Sequence, residues 1–253
     1  MPTKAQLSVF FIIAIVIVAA FVAVTFISKE DTKTEIPTND FSISFQSYVE
    51  NCLRAVGEQA IYENSLQGGY YSLPEQTLPF FLAYVPYYWY NKTNLMPSKE
   101  TMEFELAYYV YDHIAQCLNN FEPFEQQGYQ ITANNEPIVA ASVLNGKVSF
   151  AFDYFVEISK GESKKTFSGF NTDVPIDLLR ATGYVAQIME EQEKYPNESP
   201  ISFITLLAEQ NNFSFEIVDE NESDAVYGLI FDVPGKQPLV YGFAAHYDWS
   251  NNK

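Results

Sequence analysis

Between Val9 and Ile27 the chain runs for 19 residues without a charge, VFFIIAIVIVAAFVAVTFI. As a helix, that run is about 28 Å long, close to the thickness of the bilayer's hydrocarbon core. A cleaved secretory signal has a shorter apolar core, followed by small residues at the cut. Here the run ends in Ser28-Lys29-Glu30-Asp31. The sequence therefore predicts a retained single-pass anchor. Residues 1–8 form a cytoplasmic stub, 9–27 the transmembrane helix and 28–40 a polar stalk containing Pro37. The chain beyond it is long enough to bury a core of its own.

Three features place that body outside the cytoplasm. The stub is too short to be a translocated domain. The two cysteines suit an oxidising compartment. Four N-x-[ST] sequons, at Asn91, Asn197, Asn212 and Asn221, are candidate glycosylation sites. The flanking lysines do not decide orientation, since Lys4 precedes the run while Lys29 and Lys33 follow it. The formal net charge of −18 disfavours nucleic acid, which binds through Lys and Arg on phosphates, and disfavours anionic lipid. Such a charge keeps a protein soluble. The acidic run Asp219-Glu220-Asn221-Glu222-Ser223-Asp224 lacks the glycine and the ligand spacing of a calcium loop and reads as a solvated hairpin tip.

The segment Lys4-Ala5-Gln6-Leu7-Ser8 resembles the processing site of archaeal type IV pilin-like proteins. There a basic and a small residue precede the cut, and the apolar helix follows. The resemblance implies cleavage between Ala5 and Gln6, and Gln6 and Ser8 match a common mature start. Phe10 departs from the pattern, because an acidic residue often stands there. The likeness covers about 25 residues of the chain. As a whole, the chain also looks like anchored, secreted archaeal proteins of unknown function, a likeness that supplies no activity.

Beyond the stalk the pattern predicts an α+β body, with a helical part over 41–130 and a mixed part over 131–253. Phe45, Tyr48, Val49, Cys52, Val56 and Ala60 recur at helical spacing, giving a helix from about Phe41 to Glu63. Gly68-Gly69 closes it with turn residues. Ser98 caps a second helix with the stripe Leu106, Val110, Ile114, Cys117, Phe121. Cys52 and Cys117 sit on the buried stripes of the two helices, so antiparallel packing brings the sulfurs together as a disulfide. Asn145-Gly146 marks a hairpin between Ile138–Leu144 and one long strand over Lys147–Ile158. A helix over 175–194 and a short one opened by Ser199-Pro200 precede a three-strand meander: Phe213 to Val218, Ala225 to Asp232, Leu239 to Tyr247.

No complete catalytic, metal or nucleotide motif is present, and no cofactor is implied. His113 borders an apolar stripe, and His246 stands near Asp248 with no G-x-S-x-G nucleophile to serve. Gly68-Gly69 opens no phosphate loop. The densest ring cluster is Tyr84, Tyr87, Tyr88, Trp89 and Tyr90. It reads either as a strand across the core, with Asn91-Lys92 turning back to solvent, or as a recognition surface for sugar or protein. The leading expectation is a non-enzymatic, membrane-anchored surface protein, pilin-like or an adhesion or envelope component, with protein partners or self-assembly. The alternatives are an extracytoplasmic sugar- or peptide-binding module and an envelope hydrolase that uses paired carboxylates.

Overall fold

A computed structural model describes residues 41–80, 83–133, 135–219, 221 and 223–248. The stub, the apolar run, the stalk and the Lys4-Ala5-Gln6 segment lie outside the described residues. Among the described residues, no helix is long and apolar enough to cross a membrane. From Ser42 onward the chain forms one compact unit. It is α+β, with helices and antiparallel strands in separate stretches of sequence.

Helix α1 spans Phe41–Leu66. Phe45, Val49, Cys52, Leu53, Val56, Ala60 and Ile61 are buried along it, which is the stripe visible in the sequence. It ends at Gly68 and Gly69, with φ of +57° and +79°. Only glycine fits both angle and space there, since a Cβ at Gly68 would stand 2.7 Å from Pro86 and one at Gly69 2.7 Å from Met102. Strands β1 (Thr77–Phe80), β2 (Ala83–Tyr90) and β3 (Thr93–Asn94) follow.

Helix α2 (Lys99–Leu118) opens on Ser98, whose side chain accepts from the Thr101 N–H, and stops at Asn119 in the left-handed region. The short helix α3 (Glu122–Glu125) leads into β4 (Gln130–Ala133), β5 (Ile138–Leu144), β6 (Lys147–Asp153), β7 (Val156–Lys160), β8 (Ser163–Phe167) and β9 (Phe170–Val174). Helices α4 (Leu178–Lys194) and α5 (Ile201–Asn211) precede β10 (Ser214–Asp219), β11 (Asp224–Phe231) and β12 (Leu239–His246).

The strands make three sheets: β1-β2-β12-β11-β10 with β3 on β2, then β4-β7-β8, then β5-β6-β9. Every pairing is antiparallel except β2 with β12, which is parallel. The meander is therefore part of a larger sheet, and the 41–130 segment contributes β2 to its interior. The helical part expected over 41–130 therefore also holds strands β1 to β3.

The expected long strand over Lys147–Ile158 is corrected. It breaks at Tyr154-Phe155, where the Phe155 N–H donates to Asn135 Oδ1 at 2.8 Å. Its halves, β6 and β7, belong to different sheets. The alternation hides the break because Val148, Phe150 and Phe152 before it, and Val156 and Ile158 after it, are all buried in the same phase. The two sheets share a ring core. Phe45 meets Phe167 of β8 at 4.9 Å and Phe170 of β9 at 6.3 Å, with Phe121 and Phe124 alongside at 5.3 and 5.1 Å.

Cys52 and Cys117 are bonded, with Cα atoms 5.6 Å apart, and join α1 to α2 across 65 residues of chain. In the chain-entropy view, closing such a loop in the unfolded state stabilises the fold by about 4 kcal/mol. The paired substitution Cys52→Ala with Cys117→Ala should lower unfolding free energy by about that amount in urea denaturation. A loss below about 1 kcal/mol would show that α1 and α2 are held by packing alone.

Candidate functional site

Helix α2 is apolar on two sides. Met102, Leu106, Tyr109, Val110, Ile114 and Leu118 face the core. Phe104, Tyr108 and Tyr111, spaced by four and three residues on another face, stay outside at 66%, 39% and 44% exposure. The Phe104 and Tyr108 rings lie 6.2 Å apart, tilted by 29°. Beside them runs the start of β5, where Ile138 is 64% exposed. Phe104, Ala107, Tyr108 and Tyr111 face Pro137, Ile138 and Val139 across an open groove of about 240 Å³. Isolated exposed apolar residues are ordinary, but a contiguous set of this kind is a candidate interaction site.

The helix that carries these rings is fastened along its core side and its ends. The disulfide fixes its last turn, where the Tyr48 hydroxyl also donates to the Cys117 and Leu118 carbonyls at 3.2 and 3.1 Å. Glu105 is buried and accepts from the Tyr71 and Ser72 N–H groups at 3.0 and 2.7 Å, as a carboxylate inside a protein must be satisfied. Glu103 accepts from the Val143 N–H at 2.7 Å, binding α2 to the outer edge of β5. That contact also covers an edge that would otherwise invite strand pairing. Tyr71 donates to Asp112 at 2.9 Å and packs edge-on against Tyr108 at 5.4 Å. Burial, followed by the Asp112 hydrogen bond, pushes the Tyr71 hydroxyl above its ordinary pKa, so it stays a neutral donor.

The expected ring cluster behaves otherwise. Of its members, Tyr87, Tyr88 and Trp89 are buried, Tyr90 is half-buried and Tyr84 alone is largely exposed. The run is a strand of the core, turned by Asn91 and Lys92, both at positive φ. Its register advances two residues while β12 advances one, from Ala244↔Tyr87 to Ala245↔Trp89. That bulge lets neighbouring rings serve two faces. Tyr88 stacks on Phe243 at 5.0 Å, and Phe243 stacks on Tyr227 at 5.1 Å, a ring ladder across three strands. Trp89 donates to the Pro196 carbonyl at 3.1 Å, while Tyr87 packs against Tyr90 on the other side.

The tyrosine hydroxyls of this core are paired. Tyr88 donates to the Gly68 carbonyl at 2.7 Å and shares a 2.8 Å bond with Tyr241. Tyr227 bonds Tyr247 at 2.6 Å, and Tyr247 donates to Gln192 Oε1 at 2.9 Å. Burial raises the Tyr88 and Tyr241 hydroxyls well above the ordinary tyrosine range, so they act as neutral partners.

His246 meets Asp224 through a 2.6 Å contact at Nδ1. Asp224 also accepts from Tyr87 at 3.0 Å and from the Asn221 amide at 2.7 Å. Of the sequon asparagines, Asn91 and Asn212 are exposed, Asn197 is half-buried, and Asn221 is engaged with Asp224. His113 stacks on Tyr109 at 4.2 Å and bonds its carbonyl at 2.8 Å. Among the described residues, no group of three or more His, Cys, Asp or Glu side chains is placed to hold a metal ion.

Comparison of the chain with protein-family models, curated proteins and solved structures finds no match. The α2 face was available in the sequence as the spacing Phe104, Tyr108, Tyr111. The neighbouring Leu106, Val110, Ile114 stripe accounted for the helix without it, and β5 could not be assigned to its side.

The Asp224 cluster sets a pH dependence. Burial pushes its carboxyl up, but the hydrogen bonds from Asn221, His246 and Tyr87 outweigh this and hold it below the ordinary carboxylate range. A depressed carboxylate stabilises the fold at neutral pH and loses that contribution as pH falls through its folded pKa. Asp224→Asn should therefore be less stable than the parent near pH 7, with the gap closing below about pH 4. Thermal melts across pH would show this. A gap of constant size would contradict it.

Proposed function

We propose that this chain is a membrane-held protein of the cell exterior that works by binding a partner protein at the exposed face of α2. The observation that carries the reading is a large apolar face, Phe104, Tyr108, Tyr111 and Ile138, kept outside on a helix whose other side is buried and cross-linked. Leaving such groups in water costs solubility, and the chain's strong negative charge offsets that cost. Tyrosine and other rings on a rigid support lose little freedom on binding, which is why they anchor interfaces.

The exterior location is supported by the charge-free run Val9–Ile27, by the Cys52–Cys117 bond and by the sequons. The pilin-like start remains part of the proposal as a route to the surface: removal of Met1 to Ala5 would leave the apolar run at the mature terminus. The body acts as a non-enzymatic adhesion or envelope component, held by its anchor and recognising through α2.

A protease added to intact cells should digest the body beyond Lys29, because the reading places it outside. Full protection until the cells are lysed would overturn the exterior placement.

A further inference from the structure

We infer that the α2 groove takes a short apolar segment of a partner protein that carries lysine or arginine on its flanks. This rests on the recognition reading above and adds the chemistry of the partner.

The groove is apolar inside and acidic around. Its walls are Phe104, Tyr108 and Tyr111 on one side and Pro137, Ile138 and Val139 on the other, with Ala107 between. The small side chain of Ala107 leaves the depression, and at about 240 Å³ it has room for one or two large apolar side chains. Most of the charged residues next to these walls are acids. Glu100 stands one helical turn before Phe104, Glu103 one turn before Ala107, and Asp112 one turn after Tyr108. Glu136 adjoins Pro137, and Asp153 is the cross-strand partner of Ile138. Glu100, Asp112, Glu136 and Asp153 are exposed. Among the described residues adjoining these walls in sequence, the cation is Lys99, and it is paired with Glu103 at 3.5 Å.

Charge then decides between occupants. A second copy would bring the same acids to face their like, and two chains of net charge −18 repel at long range. An anionic lipid surface is repelled for the same reason. A neutral ligand would be indifferent to the rim. A segment with an aliphatic or aromatic centre and cationic flanks uses both features at once: its centre leaves water in the groove and its flanks meet the acids. The rim contributes mainly to rate and selectivity, and the rings supply most of the affinity.

The test uses the full chain, with its disulfide intact, in nanodiscs of neutral lipid. Three synthetic peptides share a leucine–phenylalanine–leucine centre and differ in their flanks, which are lysine, serine or glutamate. Fluorescence anisotropy should show the lysine-flanked peptide binding about tenfold more tightly than the serine-flanked one at low salt. That advantage should shrink at about 0.5 M salt, where exposed charges are screened. The double substitution Phe104→Ser with Ile138→Ser leaves the charge unchanged and should weaken binding about tenfold or more. Its thermal melt checks that it still folds, and Ile138→Ser alone provides a second, milder variant.

Undiminished binding of the lysine-flanked peptide to both variants would show a charge effect without a site, and both readings of α2 would fall. Tight, salt-insensitive binding of the serine-flanked peptide, lost in the variants, would keep the recognition reading and overturn the cationic partner. Patch-dependent dimerisation of the parent protein would assign the groove to a second copy and overturn the inference as well.

Discussion

The contact between α1 and α2, closed by Cys52–Cys117, is the interaction on which the rest of the body depends. Helix α1 reaches both cores. Near its start, Phe45 enters the ring cluster shared by the β4-β7-β8 and β5-β6-β9 sheets. At its end, the Leu66 carbonyl lies so close to Gly242 of β12 that a Cβ there would stand 2.7 Å from it. Glu58 pairs with Lys236, and Tyr62 donates to the Gln237 carbonyl at 2.9 Å, both in the turn between β11 and β12. A helix fixed to every sheet is a firm base, and the disulfide passes that firmness to α2.

The interior shows how so ring-rich a chain avoids a polar penalty. With 18 tyrosines, the core must bury phenols, and each buried hydroxyl needs a partner. Tyr88 and Tyr241 satisfy each other and the Gly68 carbonyl, while Tyr227, Tyr247, Gln192 and Ser199 form a second chain of bonds. Gln192 goes on to donate to the Tyr195 and Glu198 carbonyls, each at 2.9 Å, and so ties the loop between α4 and α5 to the large sheet. These networks specify one packing because a shifted strand would orphan several groups together.

What the sequence made legible is what short-range periodicity records. The stripe Phe45 to Ala60 revealed α1, Ser98 the start of α2, Asn145-Gly146 the hairpin, and the pairing of stripes the disulfide. What it hid is non-local. Alternation through Val148 to Ile158 measures which side of the chain is apolar, not which sheet owns each half, so the break at Tyr154 was silent. The parallel seating of β2 beside β12 joins residues about 150 apart in sequence and leaves no local trace. The bulge beneath Tyr88 and Trp89 depends on that same pairing. Helix α2 hid its second face because one apolar stripe suffices to predict a helix, and rings at Phe104, Tyr108 and Tyr111 read equally well as core.

The two faces of α2 thus differ, one holding the helix in the core and the other exposed, where we propose that a partner binds. That division requires α2 to be among the most stable parts of the fold, since rings on a fraying helix would have no fixed geometry to offer. Native-state amide hydrogen exchange, read before and after reduction of the disulfide, tests this most directly. Leu106, Val110 and Ile114 should exchange only through global unfolding in the oxidised protein, and protection along α2 should fall when the bond is reduced. Fast exchange along α2 in the oxidised protein, while β11 and β12 remain protected, would contradict it.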